Sequence, residues 1–123
     1  MEKGDITEAI LGSALEVHRE IGPGLLESAY EECLCHELGI RRLGFQRQLP
    51  LPVTYKDVSL DCAYRLDLLV EGSVVVEIKA LEKIRPLHEA QLLSYMKLGG
   101  WPVGLLLNFH EPKLQDGIRR KVL

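Results

Sequence analysis

A chain of 123 residues, 46% hydrophobic and 27% charged, is sized and composed for one compact domain, residues 1–123, with its own core and not for a disordered tail. Its formal net charge of -3 repels phosphate weakly, which argues against a protein that coats nucleic acid. Binding to a phosphate backbone would need a local basic patch or a cation held by carboxylates.

The first helix is expected over Ile6 to Glu20, where Ile6, Ile10, Leu11, Ala14 and Val17 form one stripe after an Asp5 cap. Gly22-Pro23-Gly24 ends it. Before it, Met1-Glu2-Lys3-Gly4-Asp5 has no apolar stretch of the signal-peptide kind, and no run nears the roughly 18 apolar residues of a membrane span. A soluble, cytoplasmic protein with no membrane partner is expected.

A second helix follows from about Leu25 to Leu38, closed by Gly39. Cys33, Cys35 and His36 crowd it, but helix positions two apart point about 160° away from each other, so they cannot close a tetrahedral zinc site. With Cys62 they make an odd set of three, read as small buried thiols in a reducing compartment.

From Phe45 the apolar period becomes two and continues to Tyr55, with Pro50 and Pro52 assigning this strand to a sheet edge. Val58, Leu60, Cys62, Tyr64, Leu66, Leu68 and Val70 give the apolar face of the next strand, and Ser59, Asp61, Arg65 and Asp67 its polar face. After Glu71-Gly72 a third strand spans Ser73 to Ala80. Pro86 then opens a helix to about Leu98, closed by Gly99-Gly100. The apolar run Val103 to Phe109 is a buried strand whose long connection makes it parallel to a neighbour. The tail, Asp116 to Leu123, is read as a short helix. The order helix, helix, three-strand meander, helix, strand describes a sandwich-like α/β domain.

Chemistry concentrates in the meander. Glu77 and Lys79 share a face because they are two apart. A two-residue turn at Glu71-Gly72 would send Asp67 to the other face, whereas a three-residue loop or a bulge brings Asp67 beside them and aligns the apolar faces of both strands. The second arrangement is the one predicted. Two carboxylates and a main-chain carbonyl make a hard-oxygen site suited to Mg²⁺ or Mn²⁺, with Lys79 placed to orient a water or to stabilise negative charge. The same pattern is also met by a solvated face carrying a cross-strand ion pair.

On the second helix Glu27 falls between Leu34 and Leu38 in the apolar arc and is expected to face the core. A buried carboxylate needs a partner, which a bound cation would supply. Alternatively, Glu27 favours the helix dipole from the first turn and reaches outward. On the third helix His88, Gln91 and Tyr95 lie along one stripe, where Gln91 and Tyr95 could contact phosphate or fix Lys79.

Asp67, then Glu77-Ile78-Lys79 after Val74-Val75-Val76, resembles the triad of the PD-(D/E)XK nuclease superfamily. Gly24-Leu25-Leu26-Glu27-Ser28-Ala29-Tyr30 resembles the signature of its GxxExxY family, and Gln91 and Tyr95 resemble the glutamine-x-x-x-tyrosine element of exonuclease-like members. The similarity runs from Ile6 to about Phe109, although Leu66, not proline, precedes Asp67. It implies a restriction-endonuclease-like α/β core, a mixed sheet of an antiparallel meander plus a later strand, flanked by helices. It further implies a nuclease using Mg²⁺ or Mn²⁺, with Asp67, Glu77 and Glu27 as metal ligands and Lys79, Glu27, Gln91 and Tyr95 as catalytic residues. Nucleic acid is the implied partner, DNA ahead of RNA, with Arg65, Lys83, Arg85 and Lys97 available to guide it. The alternative is a non-catalytic module that binds nucleic acid or protein on the same fold; an oligomeric scaffold is a third reading.

Overall fold

Ile6, Ile10, Ala14 and Val17 recur on one helical face, and all four are buried in helix α1, Lys3–Ile21. The computed structural model describes residues 2–123; Met1, part of the N-terminal segment considered above, lies outside the described residues. Asp5 is not the cap of α1. Glu2 occupies that position, and Asp5 sits in the first turn, where its charge complements the helix's positive end.

Helix α2 covers Glu27–Ile40 and runs through Gly39, the expected terminator. Burial of Leu43 sets the stop instead: its N–H reaches the Leu38 carbonyl at 2.9 Å, and Arg42 takes the left-handed turn with φ 62. Helix α3, Pro86–Gly99, begins at proline as expected and ends at Gly100. Among the described residues no helix is long and apolar enough to cross a membrane.

The strands are β1, Phe45–Pro50; β2, Val53–Tyr55; β3, Val58–Leu60; β4, Arg65–Val70; β5, Val74–Lys79; β6, Val103–Asn108; and β7, Ile118–Val122. Five of them form one sheet in the order β1-β4-β5-β6-β7, with β5 and β6 parallel and the other neighbours antiparallel. β1 is at an edge, as its prolines required. The result is a mixed sheet flanked by helices, consistent with a restriction-endonuclease-like fold.

The strands and the tail depart from the sequence expectations. The strands expected over Phe45–Tyr55 and Val58–Val70 both break, because Pro52 follows a buried Leu51 and the stretch from Asp61 turns at Ala63, with φ 60. The outer halves pair only with each other as the β2–β3 hairpin, so β1, β4 and β5 are not a plain meander. Val58, Leu60, Cys62 and Tyr64, expected on an apolar face, are exposed. The tail is strand β7 after a short 3-10 turn at Leu114–Gly117, because a helix there would have left the edge of buried β6 without main-chain partners.

The sheet separates two cores. Leu68, Val70, Val76, Ile78, Leu105 and Leu107 pack with α1 and α2, while Leu69, Val75 and Leu106 pack with Leu92 and Met96 of α3. Cys35 belongs to the first core, where burial pushes its thiol up to about 11; Cys62 is exposed, contrary to expectation.

Candidate active site

Val70 pairs with Val74, so the connection is the three-residue loop Glu71-Gly72-Ser73, the first of the two arrangements, loop or bulge, that parity allowed. Gly72 holds φ 64, readily available to glycine, and the Ser73 N–H donates to the Val70 carbonyl at 3.1 Å. Leu68 then faces Val76, and the next position along brings Asp67 across from Glu77.

There the main-chain ladder stops. The Asp67 N–H donates to Glu77 Oε2 at 2.8 Å, and the Ile78 N–H donates to Asp67 Oδ2 at 2.8 Å. Each carboxylate replaces a main-chain carbonyl and is held between the two strands. The pleat is also disturbed at this point: Leu68 packs on the α1/α2 side, yet Leu66 packs with the α3 core, and Gln48 on β1 has φ 48. Alternation along the sequence could not disclose that irregularity.

Both carboxylates are poorly compensated. Glu77 is only 5% exposed, and burial together with the charge of Asp67 pushes its carboxyl up to about 8. Burial also raises Asp67, with Glu31 adding to the effect; the Ile78 N–H and Lys79 oppose it. Among the described residues neither carboxylate has an ion pair with lysine or arginine.

Glu27 arrives from the start of α2. Gly24, with φ 102, turns the chain into the helix, and the Tyr30 hydroxyl accepts from the Leu25 N–H at 3.0 Å while donating to the Gly22 carbonyl at 2.6 Å. The Tyr30 ring stacks on Phe109, just past β6, with centroids 4.6 Å apart. Gly24 and Tyr30 thus orient the turn that presents Glu27. Glu27 itself is exposed, not core-facing as the arc suggested, because no preceding helical turn covers the first residue of α2. Its Oε1 accepts from the Ala80 N–H at 3.3 Å, directly after Lys79.

The buried glutamate of α2 is Glu31, one turn on from Glu27 and missed in the sequence although the i, i+4 spacing places both on one side. Arg47 pairs with Glu31 at 2.9 Å, and the Gln48 amide donates to Glu31 Oε1 at 2.9 Å and to Asp67 Oδ1 at 3.4 Å. Glu27, Glu31, Gln48 and Asp67 line a hollow of about 230 Å³. Asn108 was also missed. Wholly buried beside Lys79 in the parallel ladder, it bonds both the N–H and the carbonyl of Leu81 at 2.9 Å and so fixes the exit of β5.

On the α3 side Lys79, Gln91 and Tyr95 meet in a groove of about 600 Å³. Burial and then the charge of Glu77 raise the Tyr95 hydroxyl, while Gln91 draws it back down. His88 also lines the groove, but its Nδ1 accepts the Arg85 N–H at 2.9 Å, which gives it a helix-capping part. Lys83, Arg85 and Lys97 are exposed, and the Arg65 guanidinium donates to the Gln48 carbonyl at 3.3 Å.

Among the described residues no three histidine, cysteine or acidic side chains already enclose a metal position. The donor set nevertheless suits a hard divalent cation: carboxylate oxygens predominate, and burial raises both Asp67 and Glu77 against the opposing pull of Lys79, a cost that a bound cation would relieve.

A family model described as the PD-(D/E)XK nuclease superfamily matches residues 4–121. No match to a curated protein or to a solved structure was found. With nearly the whole chain matched, and with Asp67 on β4 beside Glu77 and Lys79 at the end of β5, the protein belongs to the PD-(D/E)XK nuclease superfamily.

Proposed function

We propose that the protein is a Mg²⁺- or Mn²⁺-dependent nuclease of the GxxExxY type that hydrolyses phosphodiester bonds, with DNA the first substrate to test. The observation that carries this reading is the Asp67–Glu77 pair, held on main-chain donors with Glu77 buried and, among the described residues, with neither carboxylate ion-paired to lysine or arginine. Nucleases of the superfamily are generally dependent on divalent metal.

Asp67 and Glu77 would hold the cation, and Glu27 would anchor it from the α2 side, directly or through a water. The bound cation would polarise the scissile phosphate and acidify an attacking water. Lys79 donates hydrogen bonds to that water or to the phosphate oxygen on which charge accumulates. Gln91 and Tyr95 orient the phosphate and keep Lys79 in the groove. Water adds to phosphorus, one phosphorus–oxygen bond breaks, and the products are a phosphate monoester and a free hydroxyl.

Melting of the protein with and without Mg²⁺ or Mn²⁺ is the direct test. The cation should raise the melting temperature, and Asp67→Ala should remove that rise. Cleavage of a panel of single strands, duplexes and RNA should then be lost in both Asp67→Ala and Lys79→Ala; cleavage surviving both substitutions would refute the assignment.

A further inference from the structure

The groove beside Lys79 has more apolar wall than phosphate binding requires. Tyr64, Leu87 and Leu98 stand in its lining together with Tyr95, and these first three are 45%, 76% and 40% exposed. Tyr64 lies between β3 and β4, its carbonyl accepting the Leu51 N–H at 2.8 Å, so its backbone is tied to the sheet while its ring stands at the surface. The Tyr64 and Tyr95 rings lie 5.9 Å apart and are tilted at 54°, so the outer ring is in contact with the inner one. The volume of about 600 Å³ lies within the roughly 300–1,000 Å³ of small-ligand sites.

Charge adds a second argument. A chain of net charge -3 gains little long-range attraction for nucleic acid. Stacking a base on an aromatic face supplies affinity that needs no positive field and does not depend on which base is present. A base paired within a duplex shows only its edges in the grooves, so a flat face is offered only by an unpaired nucleotide.

We infer that the Tyr64–Tyr95 wall receives an unpaired nucleobase while Lys79 takes the attached phosphate, which makes single strands or frayed ends the preferred substrate. This rests on the nuclease reading for the role of Lys79, but the stacking site can be tested separately.

The probe is a single-stranded oligonucleotide carrying 2-aminopurine, compared with its blunt duplex, bound to the Asp67→Asn protein in the presence of Mg²⁺. Quenching on the single strand is expected, and Tyr64→Ala should weaken that binding about 5- to 30-fold while changing duplex binding by less than about twofold. Tyr64→Leu, which keeps bulk without a π face, should match Tyr64→Ala; Tyr64→Trp should retain binding and thereby exclude misfolding as the cause. No effect of Tyr64→Ala, or an equal loss on both probes, overturns the inference, as does a wild-type-like Tyr64→Leu. If Asp67-dependent cleavage occurs without Tyr64-dependent quenching, the stacking site alone fails. Should quenching depend on Tyr64 while no substrate is ever cleaved, the nuclease reading fails and the stacking site stands.

Discussion

Glu77 ties the stability of the protein to pH. Its carboxyl is raised from an ordinary value to about 8, so the folded chain holds a proton that the unfolded chain releases near pH 4.5. The resulting stabilisation is complete below the unfolded value and fades as pH climbs through the folded one. Without divalent metal, urea unfolding should therefore show stability falling between about pH 5 and 9 by a few kcal/mol. Glu77→Gln should flatten that slope and also abolish stabilisation by Mg²⁺, since a neutral amide keeps the hydrogen bond from Asp67 N–H but removes the charge. Tyr30 is a second residue with a defined test. Tyr30→Phe keeps the stack on Phe109 but deprives the Gly22 carbonyl and the Leu25 N–H of their shared partner, for an expected loss of about 1–2 kcal/mol in urea unfolding. Tyr30 and Glu27 were legible in the sequence as a spaced pair, but their division of labour was not. Helical spacing identifies neighbours on a face and does not register that Glu27 begins its helix, which is why its expected burial belongs to Glu31 instead.

Among elements, β5 was the most readable. A run of Val and Ile ending in Glu-Ile-Lys marked a strand, and the requirement that apolar faces align called for a three-residue loop or a bulge before it, of which the loop is found. The parallel partner β6 followed from the length of the connection through α3. Elements set by local breaks and edges were harder: β2, β3 and β7 depend on how Pro52, the turn at Ala63 and the bare edge of β6 are resolved in space. Asn108 illustrates the same limit, since its value comes from lying beside the end of β5 and not from any sequence pattern. Asn108→Ala would leave Leu81 with two unmet main-chain groups and should cost about 2–4 kcal/mol. Hydrogen exchange at the Leu81 amide should quicken markedly, while amides in β4 remain protected.

For the molecule as a whole, the pairing of Pro50 with Arg65, extended by the Leu51–Tyr64 bond, closes a neck from which residues 52–63 leave the sheet and return. Those residues form a hairpin paired only with itself, and Tyr55, Val58 and Leu60 on it are exposed. Replacing 52–63 by a short glycine linker should leave a cooperative unfolding transition and a circular dichroism spectrum close to that of the intact chain. The neck has a wider consequence. The hairpin beyond it is free to lengthen, shorten or change character without disturbing the carboxylates clasped between β4 and β5, so residues 52–63 can alter what this end of the surface presents while the arrangement of Asp67 and Glu77 stays as it is.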